Sequence, residues 1–406
     1  MNVEELVREV LREQADAQPP VPAGFADRVL GVRRRRRTRR LLSVAAATAA
    51  VVAVAVGVPL LHPGGNEVRP AAVPAPAGIR SHPDQSPPRE LIAAGRTAMA
   101  AYYTRRTVPQ GGDRGVTHRT YWLLNPETGR YEKDARWSFV AVAPGLRTAA
   151  VLERTLPAAR IGLLDLATGE VERWIPVSHG VAGLAFSDDG RRLVATAYSA
   201  NPDQAVKVAD AGNTGRTDWG PWWQGKVRTG FHVVDVSSGK ATWSAVPPGR
   251  NDIGRLDFAF SRTGDLVYCQ AVGGRDGMQQ FYDLTGRKAA APADERHLRS
   301  DVPARLSPDG RLGAWGLVAE PHRMSYSAIR DPLTGEEIGR ARGAQLLAWA
   351  DDRRLIAWER DPERKEYRDR LVLVTIGEKG VVPLSGYRKP NAEYHQQEWN
   401  PVFAER

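Results

Sequence analysis

Three tryptophans within five positions, Trp219, Trp222 and Trp223, stand among small and polar residues in a segment running from 199 to 229. Each indole can bury a large apolar area, so leaving three in water is unfavourable and they are expected to pack on something. Two arrangements satisfy them: folding back over a sheet edge or the mouth of the domain, or serving as a platform for a partner. Aromatic faces suit sugar rings, peptides and protein surfaces, and loops on a rigid scaffold are where recognition residues gather. Arg216, Lys226 and Arg228 flank the run as surface cations able to add charge-assisted contacts. The partner-binding residues are therefore assigned as Trp219, Trp222, Trp223, Arg216 and Arg228.

No catalytic constellation stands beside them. A Gly-x-Ser-x-Gly elbow, His-Glu-x-x-His, a phosphate loop ending in Gly-Lys-Ser or Gly-Lys-Thr, and Cys-x-x-Cys are all missing, so the usual nucleophile, zinc, nucleotide and redox chemistries lack their minimal residues. Asp188-Asp189-Gly190 and Asp351-Asp352 lack the alternating oxygen ligands and distant Glu of a calcium loop, and turn chemistry explains them. Histidines 118, 179, 232, 297, 322 and 395 fall in different segments without metal-ligand spacing, though a pair could still converge at a central axis. The one cysteine, Cys269, excludes an intrachain disulfide and lies in the apolar run Leu266 to Gln270, as a buried small hydrophobe would. No catalytic residue, metal ligand or cofactor is assigned. A catalytic group assembled from separate segments would escape such a scan.

The elements that must position these residues repeat. Ile161 to Asp165 and Glu170 to Ile175 flank Leu-Ala-Thr-Gly169, while Val181 to Phe186 and Arg191 to Tyr198 flank Ser187-Asp-Asp-Gly190. In each turn a side-chain oxygen can accept from a backbone N–H two residues on, and the closing glycine supplies the left-handed conformation. The first turn returns at 125–129, 235–239, 283–286 and 331–335 and, degenerate, at 376–380. The second returns at 143–145, 261–264, 307–310 and 350–353, with steps of 44, 74, 46 and 43 residues between starts. A period near 45 with four strands per unit predicts an all-β fold, a β-propeller of about six four-stranded blades, with seven as the alternative. The long step holds the tryptophan segment. Residues 91–99 could begin as a helix before strands at 100–104 and 120–124, and the early strand is expected to close the ring against the last segment, near Trp399 to Phe403.

Ahead of the repeats the chain changes character. Residues 3–17 read as a short amphipathic helix, and Gln18 to Gly24 breaks it. Arg33, Arg34, Arg35, Arg36, Arg37, Arg39 and Arg40 then abut residues 41–61, 21 residues without a charge. At about 1.5 Å per residue that run spans roughly 30 Å, a bilayer's hydrocarbon thickness. The arginine block sets topology: residues 1–40 form a basic, helical cytoplasmic tail, 41–61 a single transmembrane helix, and everything later is extracytoplasmic. Cleavage after Ala53-Val-Ala55 is the rival reading and exports the same domain. Residues 62–89 are a Pro- and Ala-rich linker, and 90–406 the propeller.

The net charge of +10 does not mark a nucleic-acid protein, because much of the excess sits in that arginine block and no aromatic-interleaved basic stripe appears. Ser-Pro-Asp-Gly310 and Ser-Asp-Asp-Gly190 after apolar strands, with Asp-Leu-Ala-Thr-Gly169 between, resemble the WD40-like and TolB-type propeller repeats of bacterial exported proteins. With its arginine-rich start, apolar segment and Pro-rich spacer, the chain is similar to the membrane-associated WD40-repeat proteins of actinobacteria. That resemblance implies a binding module for a protein, peptide or glycan outside the cell membrane, without cofactor or nucleic acid, acting as a monomer. Two alternatives remain open: a transmembrane regulator whose tail binds a cytoplasmic partner, as anti-sigma factors do, and a propeller enzyme of lyase or lactonase type.

Overall fold

The computed structural model describes residues 78–209, 217–222, 227–249, 255–271, 277–363, 368–389 and 398–406. The expected tail and transmembrane segment and linker residues 62–77 lie outside the described residues, as do Arg216, Trp223, Lys226 and His395. Among the described residues the only helical element is a 3-10 turn at Pro321–Arg323, and none is a helix long and apolar enough to cross a membrane.

Local turn chemistry builds the strands. Asp165 Oδ1 accepts from the N–H groups of Ala167 and Thr168, both at 2.8 Å, and Gly169 closes the turn at φ 71°. In the second turn type Ser307 Oγ donates to Asp309 Oδ1 at 2.6 Å and accepts from Leu312 N–H at 2.9 Å, with Gly310 at φ 74°. Both geometries are those the residue types dictate.

The strands follow as antiparallel meanders. The first holds β1 (Ala93–Ala94), β2 (Thr97–Gly111), β3 (Arg114–Asn125) and β4 (Arg130–Asp134). The second runs through β5 (Trp137–Val142), β6 (Thr148–Glu153) and β7 (Ala158–Asp165) into β8 (Val171–Phe186). β8 is shared: its first half pairs with β7, and its second half opens the next meander with β9 (Arg192–Tyr198). The two strands expected at 170–175 and 181–186 are therefore one. β10 (Gln204–Ala209) and β11 (Thr217–Pro221) leave this meander, which resumes with β12 (Arg228–Asp235) and β13 (Ala241–Ala245). Next come β14 (Ala259–Phe260), β15 (Leu266–Gln270), β16 (Gln279–Asp283) and β17 (Lys288–Ala289). They are followed by β18 (Gly313–Ala319), β19 (Tyr326–Arg330) and β20 (Glu337–Arg342), with Leu306 bridged to Gly313. The last meander is β21 (Gln345–Trp349), β22 (Arg354–Arg360), β23 (Asp369–Thr375) and β24 (Val381–Pro383).

The final strand, β25 (Asn400–Glu405), returns to the beginning and pairs with β2 from Thr97↔Glu405 to Tyr103↔Asn400. This is the closure expected near Trp399. Trp399 is buried beside it, edge-on to Trp358 at 5.0 Å and to Tyr102 at 5.9 Å, and its Nε1 donates to Ser86 Oγ at 3.1 Å. Both sheet faces are buried where the sequence alternates least: Leu355, Ile356 and Ala357 are each fully covered.

Two expectations are corrected. The 91–99 stretch is not helical: it holds β1 and the start of β2, and Ala93, Ala94, Ala98 and Met99 are inaccessible. Alanine's helix propensity is outweighed by burial in the covered sheet, where Ile92 and Met99 are enclosed with the alanines. Residues 78–89 are not linker. Arg80 bridges Ala93, His82 N–H donates to Leu384 O at 2.9 Å, Gly386 N–H donates to Gln85 O at 2.8 Å, and Gln85 is buried. Prolines had suggested an open spacer, yet the intervening backbone groups find partners in the domain.

Beyond Tyr103, β2 and β3 continue past the reach of β25 as a projecting hairpin. β10 pairs with β3 through Gln204↔Val116 to Val206↔Arg114, and β11 pairs with β10. This four-stranded extension is called the flap sheet below.

Candidate functional site

Two chambers that share a wall lie between the meanders. The first chamber, about 650 Å³, is lined by β25, β5, the second half of β8 and residues 255–257, with Tyr103 and Arg105 of β2 and Arg119 and Tyr121 of β3 at the rim. The second chamber, about 410 Å³, is lined by β25, β14, residues 303–308 and β21. Phe186, Asp188, Phe403, Ala404 and Glu405 line both. Sheets in chain order, a last strand completing the first sheet, and adjoining chambers between them have a single architectural reading. The ring is a β-propeller.

No family model and no curated protein matches the chain. Among solved structures it is similar to TolB from Acinetobacter baumannii, at 15% identity and TM-score 0.40, over 75% of this chain and 66% of that one. It is also similar to the β-propeller domain of Myceliophteria thermophila Cps50 (Swd1), at 14% identity and TM-score 0.35, over 70% and 90%. A third is hydrazine synthase from Kuenenia stuttgartiensis, at 13% and 0.34, over 60% and 63%. The chain thus spans slightly under two thirds of the TolB and hydrazine synthase chains.

A buried ionic chain braces the propeller's mouth. Asp203, just before β10, accepts from Arg119 at 2.6 and 3.1 Å and from Arg255 at 2.9 and 2.8 Å. Arg255 also donates to Asp257 Oδ2 at 2.8 Å and to Ala182 O at 2.8 Å, and the Tyr198 hydroxyl donates to Asp257 Oδ1 at 2.7 Å. Burial alone would push the Asp203 carboxyl up, but the guanidiniums of Arg255 and Arg119 outweigh it and hold it down at about 2. Burial and Asp257 push the Tyr198 hydroxyl well above its ordinary range, so it stays a donor. The network ties the flap sheet's root to three meanders.

Close approach makes it possible. A Cβ at Gly183, in β8, would fall inside the Asp257 carboxyl. Gly183→Ala is therefore expected to displace Asp257 and cost about 1–3 kcal/mol in denaturant unfolding. An unchanged midpoint would show that the carboxylate has room to move.

Of the carboxylates and guanidiniums lining the first chamber, Glu405 is paired with Arg96 and the ionic chain consumes Arg119, Arg255 and Asp257. Arg105 and Asp188 remain, with no ion pair among the described residues. Asp188 has an exposed surface, but that surface faces the cavity and protein walls it in. Burial and the charge of Glu405 raise its pKa, against the opposing pull of Arg305, Arg262 and Arg96. Its neighbours explain why it is free: in the turn Ser187-Asp-Asp-Gly190 it is Asp189 that bonds Ser187 and Arg191, as Asp309 does in the turn where Pro308 holds the second position. An unpaired carboxylate and an unpaired guanidinium on one aromatic-walled cavity can hold a ligand by opposite charges. Neither was singled out for this by sequence.

Of the tryptophan segment, the described residues Trp219 and Trp222 lie in and beside the flap sheet. Trp219 in β11 is half-buried against Gly115 and Thr107, with Lys207 Nζ 5.7 Å from its ring, and Trp222 lies half-buried under Arg114 at 5.3 Å. Arg228 is corrected: it is 2% exposed, its Nη1 donates to Cys269 Sγ at 2.9 Å, and its guanidinium lies 4.7 Å from the Phe258 ring. A side chain so enclosed is not a surface contact for a partner. Cys269 is buried as expected. No histidine lines either chamber among the described residues; His179 and His232 instead flank Trp243, with centroids 3.9 and 5.0 Å from it. No group of three ligating residues there could hold a metal.

Proposed function

We propose that this chain is a membrane-anchored, extracytoplasmic β-propeller of six blades that captures a protein or peptide partner at its central mouth. The observation that carries the reading is the Arg105 and Asp188 pair, unpaired in a cavity where the other guanidiniums and carboxylates of the rim are engaged. A peptide terminus or charged side chain entering the mouth would meet a cation on the rim and an anion on the floor, while Tyr103, Tyr121 and Phe139 cover its apolar parts. Binding rather than catalysis fits a site whose other charged groups are held in fixed pairs. The six-blade count takes β25, β2, β3 and β4 as the first blade, divides β8 between the second and third, and adds the bridged strand at Leu306 to β18–β20.

The anchor rests on residues 41–61 and the preceding arginines. Because residues 78–89 pair within the domain, the linker expected from the sequence shortens to residues 62–77. The test is capture of envelope proteins by the full chain and by Arg105→Ala/Asp188→Asn. Partners held by the wild type are expected to fall at least tenfold with the variant, at equal thermal stability. Equal recovery would remove the cavity from the function.

A further inference from the structure

The flap sheet has two faces with different chemistry. Arg105, Arg119 and Tyr121 point to the cavity. Strand alternation puts Val108, Val116, Val206 and Val208 together on the opposite face, through the registers Val108↔Val116, Gln204↔Val116 and Val206↔Arg114. Val108 and Val208 are 38% and 36% exposed. Arg106, with its cross-strand partner His118, and Arg114 border these valines, and neither arginine is in an ion pair among the described residues. Asp218, opposite Val208, is the one carboxylate on this face among the described strand residues.

We propose that this outer face docks on an anionic phospholipid surface, the valines meeting the acyl boundary and Arg106 and Arg114 the phosphates. The occupant follows from charge complementarity. An apolar stripe bordered by guanidiniums with no ion pair among the described residues suits a surface that offers anions above hydrocarbon, and half-buried Trp222, 5.3 Å from Arg114 of this face, is the aromatic type favoured at that boundary. A chain anchored as proposed would meet such a surface, so this step rests on the anchored reading. Docked in this way, the flap would turn the cavity mouth to a fixed angle over the membrane.

Residues 78–406 supply every strand and core cluster described above, so this fragment can be tested without the anchor. Sedimentation with vesicles of phosphatidylcholine containing 30 mol% phosphatidylglycerol is expected to carry the fragment down, and vesicles of phosphatidylcholine alone are not. Arg106→Ala/Arg114→Ala should weaken binding roughly 30-fold, about fivefold for each charge lost near the surface. Arg106→Lys/Arg114→Lys should retain it, because a lipid surface reads point charge where a protein pocket reads the guanidinium fork. Arg191→Ala/Arg353→Ala, the same charge loss on two unpaired turn arginines elsewhere, should bind as wild type. Failure to bind the anionic vesicles, equal binding to both compositions, or equal loss in the two alanine pairs would overturn the proposal. Fractionation of the full chain tests the anchor separately: release from membranes by alkaline wash would remove the anchor even if the fragment binds vesicles.

Discussion

Asp203→Asn is expected to cost about 3–5 kcal/mol in denaturant unfolding, because it leaves Arg119 and Arg255 without the carboxylate that neutralises them. Their side chains are 9% and 18% exposed, too little for water to replace the lost partner. Asp257 still holds one nitrogen of Arg255, so Arg119 bears most of the penalty. The same carboxylate gives the wild type a signature in acid. Its folded pKa, about 2, lies below the ordinary value of 3.8, so its contribution is complete above that value and drains away as pH falls towards 2. That difference corresponds to roughly 2–3 kcal/mol. Stability should therefore drop between pH 4 and 2 more steeply in the wild type than in Asp203→Asn. Parallel acid profiles for the two proteins would mean that the ionic chain contributes nothing.

Deleting residues 399–406 is expected to abolish cooperative unfolding altogether. The deletion removes Trp399, whose truncation to alanine alone should cost about 3–5 kcal/mol, together with the ladder from Thr97 to Tyr103. It also removes the Arg96–Glu405 ion pair and the Gly145 N–H bond to Glu405 O. Domains of this kind hold only about 5–15 kcal/mol in total, so the sum exceeds what remains. The shortened protein should bind a hydrophobic dye and lose its near-ultraviolet circular dichroism, and a synthetic peptide of residues 399–406 should restore part of that signal. A truncated protein melting within a few degrees of wild type would show that the ring does not depend on β25.

What the sequence made legible was whatever its chemistry settles locally. Asp165 and Ser307 fold their turns with bonds reaching at most five residues, so the turns, and with them the strands and their period, can be read from the chain. Ring closure was legible from the logic of repeats. The continuity of β8 was not, because Pro176 to Gly180 has loop composition and the strand changes partners within it. The stretch 91–99 failed because its alanines have a helical propensity that the surrounding sheets override. The site was the least legible part. Asp203 meets Arg119 across 84 residues and Arg255 across 52, and no spacing rule connects them. Asp188 looked like a turn residue because it sits in a turn. The one usable signal was that it stands where the matching turn has Pro308, a position that carries no bond in either. Arg228 looked like a surface cation for want of any mark that Phe258 and Cys269 enclose it.

The pairing of β2 with β25 also sets a clock on biogenesis. Tyr103 leaves the ribosome about 300 residues before Asn400. At about 5–20 residues per second, the edge of the first sheet waits roughly 15–60 s for its partner. Throughout that interval a long row of unsatisfied amides is open to neighbouring nascent chains, so a holding chaperone during synthesis would act first on Thr97 to Tyr103.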